Sequence, residues 1–584
     1  MRSLIKQYRT LALVGIAFAI SVCFSFYSRF AISNEYILFF LILIAVFFLA
    51  RKFSDNFEKR RLIYSTFYSG LLTISFLVGD KIVYGSTEFL DYKLRDIPAY
   101  IGLFAILNLL TYNVICFFCS TAAVREKKLK TYKHPVLLGA GFLLLCWLPY
   151  WIAFMPGIIG VDQVVQFKQV VNMKQLSNWH PVVHTLMVGL PVKIGLSLGN
   201  ATVGIIFTVL LQEILVALIL SKAIYVFYKL LKRKVAYIAP LIFFALYPVV
   251  ASYGVTPWKD IVFSSLFLLL VMHLYGALRK KKNDYPFIKN VLILCFVVPF
   301  FRNAGVLISL AVVVLLIVLK KEYRKRIAII GISIVMSVII IQGPIYDAIH
   351  IISSPFMESM SIPAQQIGYV VRNGEVNEDD MRELQRFANV EKLNSDYSPM
   401  HADPAKNSFY YDVVEENKSD FLKLWSNLLV YNFGNYVKAY VYHIYSYWYI
   451  GDAVWVNGYD NVHEGEWLQG WDYADINIFG EKYRYIVSLF IRGTERTSCL
   501  GFFANVGFLV WSFILLAVIF IYKKMWTGLY AEIPVFVYLA SLLIASPVSW
   551  IFRYVYSLLL MLPFFIIIAF YGKERARKTS RNLK

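Results

Sequence analysis

The sequence predicts an all-α integral membrane protein with about fourteen spanning helices, both termini in the cytoplasm and one extracytoplasmic domain. Three observations carry that prediction. The first is composition: of 584 residues, 59% are hydrophobic and 16% are charged, too apolar a chain to clothe itself in the polar surface that a water-soluble fold requires. The second is a series of apolar runs long enough, or nearly long enough, to cross the hydrocarbon of a bilayer. The third is charge placement. The formal net charge of +21 sits in short Lys/Arg clusters between those runs, the pattern of cytoplasmic loops rather than of a nucleic-acid surface.

The runs lie near 10–27, 36–50, 63–79, 97–123, 135–154, 203–228, 235–250, 259–278, 288–301, 304–319, 327–342, 503–522, 529–547 and 552–571. Arg2, Lys6 and Arg9 ahead of the first run imitate a signal peptide, but 24–30 offers no small-residue cleavage site, so the run is read as a span. Basic clusters fall at 51–61, 125–130, 229–234, 279–282, 320–326, 523–524 and from Lys573 onward, so every second loop is basic. The alternation stays in phase only if the apolar stretch 181–198 does not cross, and it is read as an interfacial helix on the outer surface. Five cysteines fall inside apolar runs and Cys499 near an outer boundary, with no spacing that suggests a disulfide framework or a metal site. No repeat and no Gly/Ser- or Pro-rich linker is visible. The chain therefore divides into a four-helix extension (1–134), a membrane module (135–342) with a long outer loop (155–202), an extracytoplasmic domain (343–502) and a three-helix membrane region (503–584). Within the domain, the Tyr- and Trp-rich stretch 421–450 is expected to graze the membrane.

The residues able to carry chemistry cluster at the predicted outer ends. Asp162, in PGIIGVDQVVQF, is a candidate general base, because apolar cover at a membrane surface raises a carboxyl pKa. Read alone, it is more readily a helix N-cap or a solvated loop acid. His180 and His184 flank the start of the interfacial helix, where a histidine commonly satisfies a backbone carbonyl. Trp258, Lys259 and Asp260, in SYGVTPWKDI, open the following span and also fit an aromatic-belt Trp beside an ion-paired Lys. Arg302 and Asn303, in FFRNAG, fit either a bound anion or a headgroup contact. Arg553 and Tyr554 lie just inside the last span, where an ionisable group needs a partner. Gln212 and Glu213, midway along the span from 203, meet that criterion too, or only cement helix packing. Lys259, Arg302 and Arg553 are expected to converge on one anionic ligand, since cations without neutralising acids repel. A base together with fixed positive charge is what transfer from a lipid-phosphate donor requires.

An outer-loop Asp after a span, then His180-Pro181 opening an interfacial helix in NWHPVVHTLMVGLPVKIG, then six further spans and an outer domain, resembles the GT-C class of membrane glycosyltransferases. Protein mannosyltransferases and lipid A aminoarabinose transferases are among its members. The resemblance covers roughly residues 135–345. It implies a GT-C-like helical module, a catalytic Asp162 and a sugar delivered on a polyprenyl phosphate. That class often carries Asp-Glu where this chain has Asp162-Gln163, which implies a metal-free mechanism with no cofactor. The stretches TPWKDI, FRNAG, SIPAQQIG (with Gln366) and FRYVY also look like those of Gram-positive multispanning proteins placed near the class. Gln163, His180, His184, Trp258, Lys259, Asp260, Arg302, Asn303, Gln366, Arg553 and Tyr554 become the substrate-binding candidates. The first four spans have no counterpart in the seven-helix module.

The leading reading is an inverting glycosyltransferase of the cell membrane with an extracytoplasmic active site. It moves a sugar from a polyprenyl-phosphate donor to an acceptor such as a cell-wall or surface glycan; its other partners are membrane lipids, and nucleic acid is not among them. A transporter or flippase of a lipid-linked sugar would place ionisable groups along a path through the membrane. A polysaccharide polymerase would also carry its basic residues outside.

Overall fold

A chain that must satisfy its backbone hydrogen bonds without water forms helices wherever it meets hydrocarbon. The computed structural model describes residues 2–25, 35–84, 96–120, 133–280, 284–452, 456, 471, 474, 476–496 and 498–572, and among them strand pairing is limited to isolated bridges. Among the described residues, ten helices are long and apolar enough to cross a membrane. This is a multi-pass helical membrane protein. In chain order its membrane-type and connecting helices are α1 (Arg2–Ser25), α2 (Glu35–Asp55), α3 (Lys59–Tyr84), α4 (Asp96–Ser120), α5 (Pro135–Ala153), α6 (Val161–Val170), α7 (Val182–Ser197) and α8 (Ala201–Leu231). They continue with α9 (Val235–Leu246), α10 (Pro248–Gly254), α11 (Lys259–Arg279), α12 (Tyr285–Val297), α13 (Gly305–Leu319) and α14 (Arg324–Ile340). After an inserted domain come α15 (Val506–Lys523), α16 (Trp526–Ala545) and α17 (Tyr556–Tyr571).

Each of the fourteen apolar runs falls on helix, but not all are long enough to span. The apolar parts of α1, α12 and α13 are short, and α9 and α10 meet at a 70° bend. Pro248 explains the bend: it offers no N–H to the preceding turn and holds Tyr247 extended at ψ 117°. The basic stretches at 125–130, 281–282 and from residue 573 lie outside the described residues, as does the side chain of Cys499.

The helices that position the site are α7, α8 and α11. At 31 residues, α8 is about 46 Å long, well beyond a hydrocarbon thickness of about 30 Å. Its N-terminal part is sheathed by α7, which runs back along it. Backbones touch where Gly195 meets Gly204, so that a Cβ on Gly195 would fall 2.6 Å from the Gly204 nitrogen; Thr208 Oγ1 donates to Val188 O at 2.7 Å. Further along, Gln212 Nε2 donates to Thr256 O at 2.6 Å, just before α11 begins. Gln212 and Glu213 thus sit level with the turn that leads into α11. Nearly every side chain of α11 is buried, the position of a helix that is apolar on all sides and ringed by others.

The residues between α14 and α15 build a second core from Met357, Ile367, Phe387, Phe421, Leu424 and Leu428. It is seated on the turn between α16 and α17: Ala402 N donates to Pro547 O at 2.9 Å, and His443 Nε2 to Ser546 O at 2.8 Å. The helix Lys418–His443 turns Phe421, Leu424, Leu428 and Tyr436 into this core and leaves Val430, Phe433 and Val437 exposed, so one face of the aromatic-rich stretch builds a domain interior and the other presents apolar side chains outward. The N-terminal helices α1 to α4 pack on one another and meet the rest through α3 and α4: Tyr68 OH donates to Trp511 O at 3.1 Å, Glu58, just before α3, accepts from Tyr522 OH at 2.7 Å, and Phe118 stacks on Phe570.

Candidate functional site

Where the membrane helices meet the second core lies a cavity of about 740 Å³. Lys259 and Asp260 reach it from the first turn of α11, Arg302 and Asn303 from the turn before α13, and Arg553 and Tyr554 from the turn before α17. These positions are fixed by buried aromatics. The Arg302 guanidinium sits in a box of Phe263, Tyr538 and Tyr554, with centroids 5.6, 5.4 and 5.2 Å away. Arg553 lies 5.2 Å over Trp258 and 5.4 Å over Tyr554. Tyr554 is therefore wedged between the two arginines, and each guanidinium gains attraction from a ring face that costs it little freedom.

Each arginine also has its own acid. Arg302 Nη1 donates to Asp260 Oδ1, and Arg553 Nη1 donates to Asp162 Oδ2 at 2.8 Å. Lys259 Nζ lies 2.9 Å from His180 Nδ1; an ammonium donates there only if the ring proton is on Nε2, which assigns that tautomer. Burial, with Lys259 next to it, pushes the His180 pKa down to about 3, so the ring is neutral near pH 7. Three cations and two acids leave the cluster one positive charge in surplus. The expectation that Lys259, Arg302 and Arg553 converge is met geometrically, but they are not three uncompensated cations.

The protonation state foreseen for Asp162 is also corrected. Burial raises its affinity for a proton, but Arg553, Lys259 and His180 outweigh that effect and hold the carboxyl well below the usual range. Asp162 opens α6 and leaves 31% of its side chain exposed, facing a separate chamber of about 190 Å³ that also touches Trp258 and Arg553.

Three sequence candidates stand apart from the cavity. Gln163 is buried, and its Oε1 accepts from Gly160 N at 3.0 Å, closing the start of α6. His184 pairs with Gln166 Nε2 at 3.0 Å inside the α6–α7 contact. Gln366 lies in the second core, accepting from Trp425 Nε1 at 2.8 Å. The sequence reading in turn missed the wall that the second core contributes. There Lys406, 3% exposed, pairs with Glu358 and Asp403 at 2.8 Å each, and Lys418 pairs with Glu415. SIPAQQIG begins three residues after Glu358, but nothing in the sequence marks Lys406. No group of three or more His, Cys, Asp and Glu able to hold a metal occurs among the described residues.

A family model matches residues 171–583. The chain belongs to that family, described as a family of unknown function (DUF6020). Within the DUF6020 stretch lie Lys259, Asp260, Arg302, Arg553 and the wall around Lys406, whereas Asp162 and the N-terminal helices precede it. No curated protein and no solved structure matches the chain.

Proposed function

We propose that the chain is an inverting, metal-free GT-C-like glycosyltransferase that moves a sugar from a polyprenyl-phosphate donor to an extracytoplasmic acceptor, such as a cell-wall or surface glycan. In this reading it has about fourteen spans, with both termini in the cytoplasm and the cavity at the outer leaflet. One observation carries the proposal: Lys259, Arg302 and Arg553, distant in sequence, meet at one cavity, where with Asp260 and Asp162 they form a cluster one positive charge in surplus. A phosphodiester donor carries one negative charge, and its leaving group gains another as the bond to the sugar breaks. Fixed donors at that position stabilise the departing phosphate more than the ground state. The sugar passes through an oxocarbenium-like state, and Asp162 takes the acceptor's proton. The test is transfer of labelled sugar from polyprenyl phosphate by purified wild type and Asp162→Asn at matched expression. Loss of roughly 10²–10⁴-fold is expected for removal of a general base. Near-normal turnover by the variant would remove Asp162 from the mechanism.

A transporter or flippase of lipid-linked sugar is the second reading. It is favoured by the bent pair α9–α10 and by Glu532, fully buried on α16 with neither carboxyl oxygen hydrogen-bonded. Flipping of labelled lipid-linked sugar in proteoliposomes, without transfer, would establish it.

A further inference from the structure

Arg553 is the one charged side chain among the described residues that lines both the larger cavity and the small chamber behind it. Toward the chamber it holds Asp162; its Nε is buried and has no hydrogen-bond partner. Lys259 lines the larger cavity, one residue from Trp258, over whose ring Arg553 lies. A phosphate bound by Lys259 therefore meets a guanidinium already claimed by a carboxylate. Guanidinium forks pair with phosphate as readily as with carboxylate.

We propose that Arg553 exchanges partners: the donor phosphate takes its guanidinium from Asp162, and the released carboxylate receives the acceptor hydroxyl in the small chamber. The inference rests on the donor reading above. Without donor, Asp162 is clamped and its negative charge compensated, so water in the chamber meets a poor base. With donor, its nearest counter-charge has turned to phosphate and its proton affinity rises. The step balances. The acceptor O–H proton passes to an Asp162 oxygen, and the acceptor oxygen bonds the anomeric carbon. The bond from that carbon to the phosphate oxygen breaks, its electron pair leaving on polyprenyl phosphate held by Arg553 and Lys259. Gly160, Val161, Val456 and Ile551 complete the chamber, whose size suits one hydroxyl-bearing carbon of an acceptor rather than a second lipid.

The exchange makes a prediction that a fixed ion pair does not. If phosphate competes with Asp162, deleting the carboxylate strengthens phosphate binding. With the full chain in lipid nanodiscs and polyprenyl monophosphate as probe, Asp162→Asn is expected to bind about tenfold tighter than wild type, the size of one charge-assisted hydrogen bond. In an Arg553→Gln background the same substitution is expected to change nothing, and Arg553→Met, which also removes the charge, serves as that background if the Gln variant does not fold. Unchanged or weaker binding by Asp162→Asn overturns the exchange. So does tightening that persists without the arginine, which would report only a general loss of negative charge. Failure of wild type to bind the probe at all would instead bring down the donor reading, and the exchange with it.

Discussion

At the residue scale, the site depends on charges whose partners no single sequence window reveals. That Lys259, Arg302 and Arg553 meet at one cavity was legible, because ionisable groups near a membrane need partners. That Asp162 belongs to Arg553 and Asp260 to Arg302 was not, since those pairings join turns far apart in the chain. The box around Arg302 predicts that Arg302→Lys, which keeps charge but loses the planar fork, lowers transfer at least tenfold while leaving expression unchanged, a difference of about 1.4 kcal/mol or more. His180 makes a pH prediction with a definite sign. Its pKa is about 3 in the fold against about 6.5 unfolded. The unfolded chain therefore binds the proton first, and stability falls as pH drops below about 6.5 toward 3. Thermal unfolding scans from pH 7 to pH 4 should show a steeper loss for wild type than for His180→Gln; parallel curves would mean that this ring does not contribute.

At the element scale, helix identity was readable from apolar runs and helix depth was not. Residues 181–198 form α7, at 16 residues a short helix for a span. The alignment of Gln212 with the turn before α11 depends on how α8 packs against its neighbours, about which run length says nothing. That one face of 421–450 builds a domain core was not legible, because Tyr and Trp suit a membrane surface and a domain core equally. The α7–α8 contact gives the prediction at this scale. A side chain at Gly195 would strike the Gly204 backbone, so Gly195→Val should part the two helices. A cost of roughly 1–3 kcal/mol is expected, read as a lowered melting temperature, together with lost transfer as His180 shifts from Lys259. Gly141→Ala, with nothing within 4 Å of the new carbon, should change neither.

At the scale of the whole molecule, the membrane class followed from composition, whereas the domain wall around Glu358 and Lys406 needed the fold. Placement of the cavity at the outer leaflet rests on the phase of the basic loops. Single cysteines replacing Lys59, Arg233 and Lys325 should be protected from an impermeant reagent in intact cells, and one at the exposed Asp379 should be labelled. Labelling at position 233 from outside would reverse the orientation of the site. The most direct test of the donor reading is a cryo-EM map of the full chain in nanodiscs with polyprenyl monophosphate. The account predicts phosphate density within hydrogen-bond reach of Lys259 Nζ and Arg553, with the lipid chain leaving the cavity between membrane helices. Phosphate density at the opposite end of the bundle, beside Lys280 and Lys320, with the cavity empty, would contradict it.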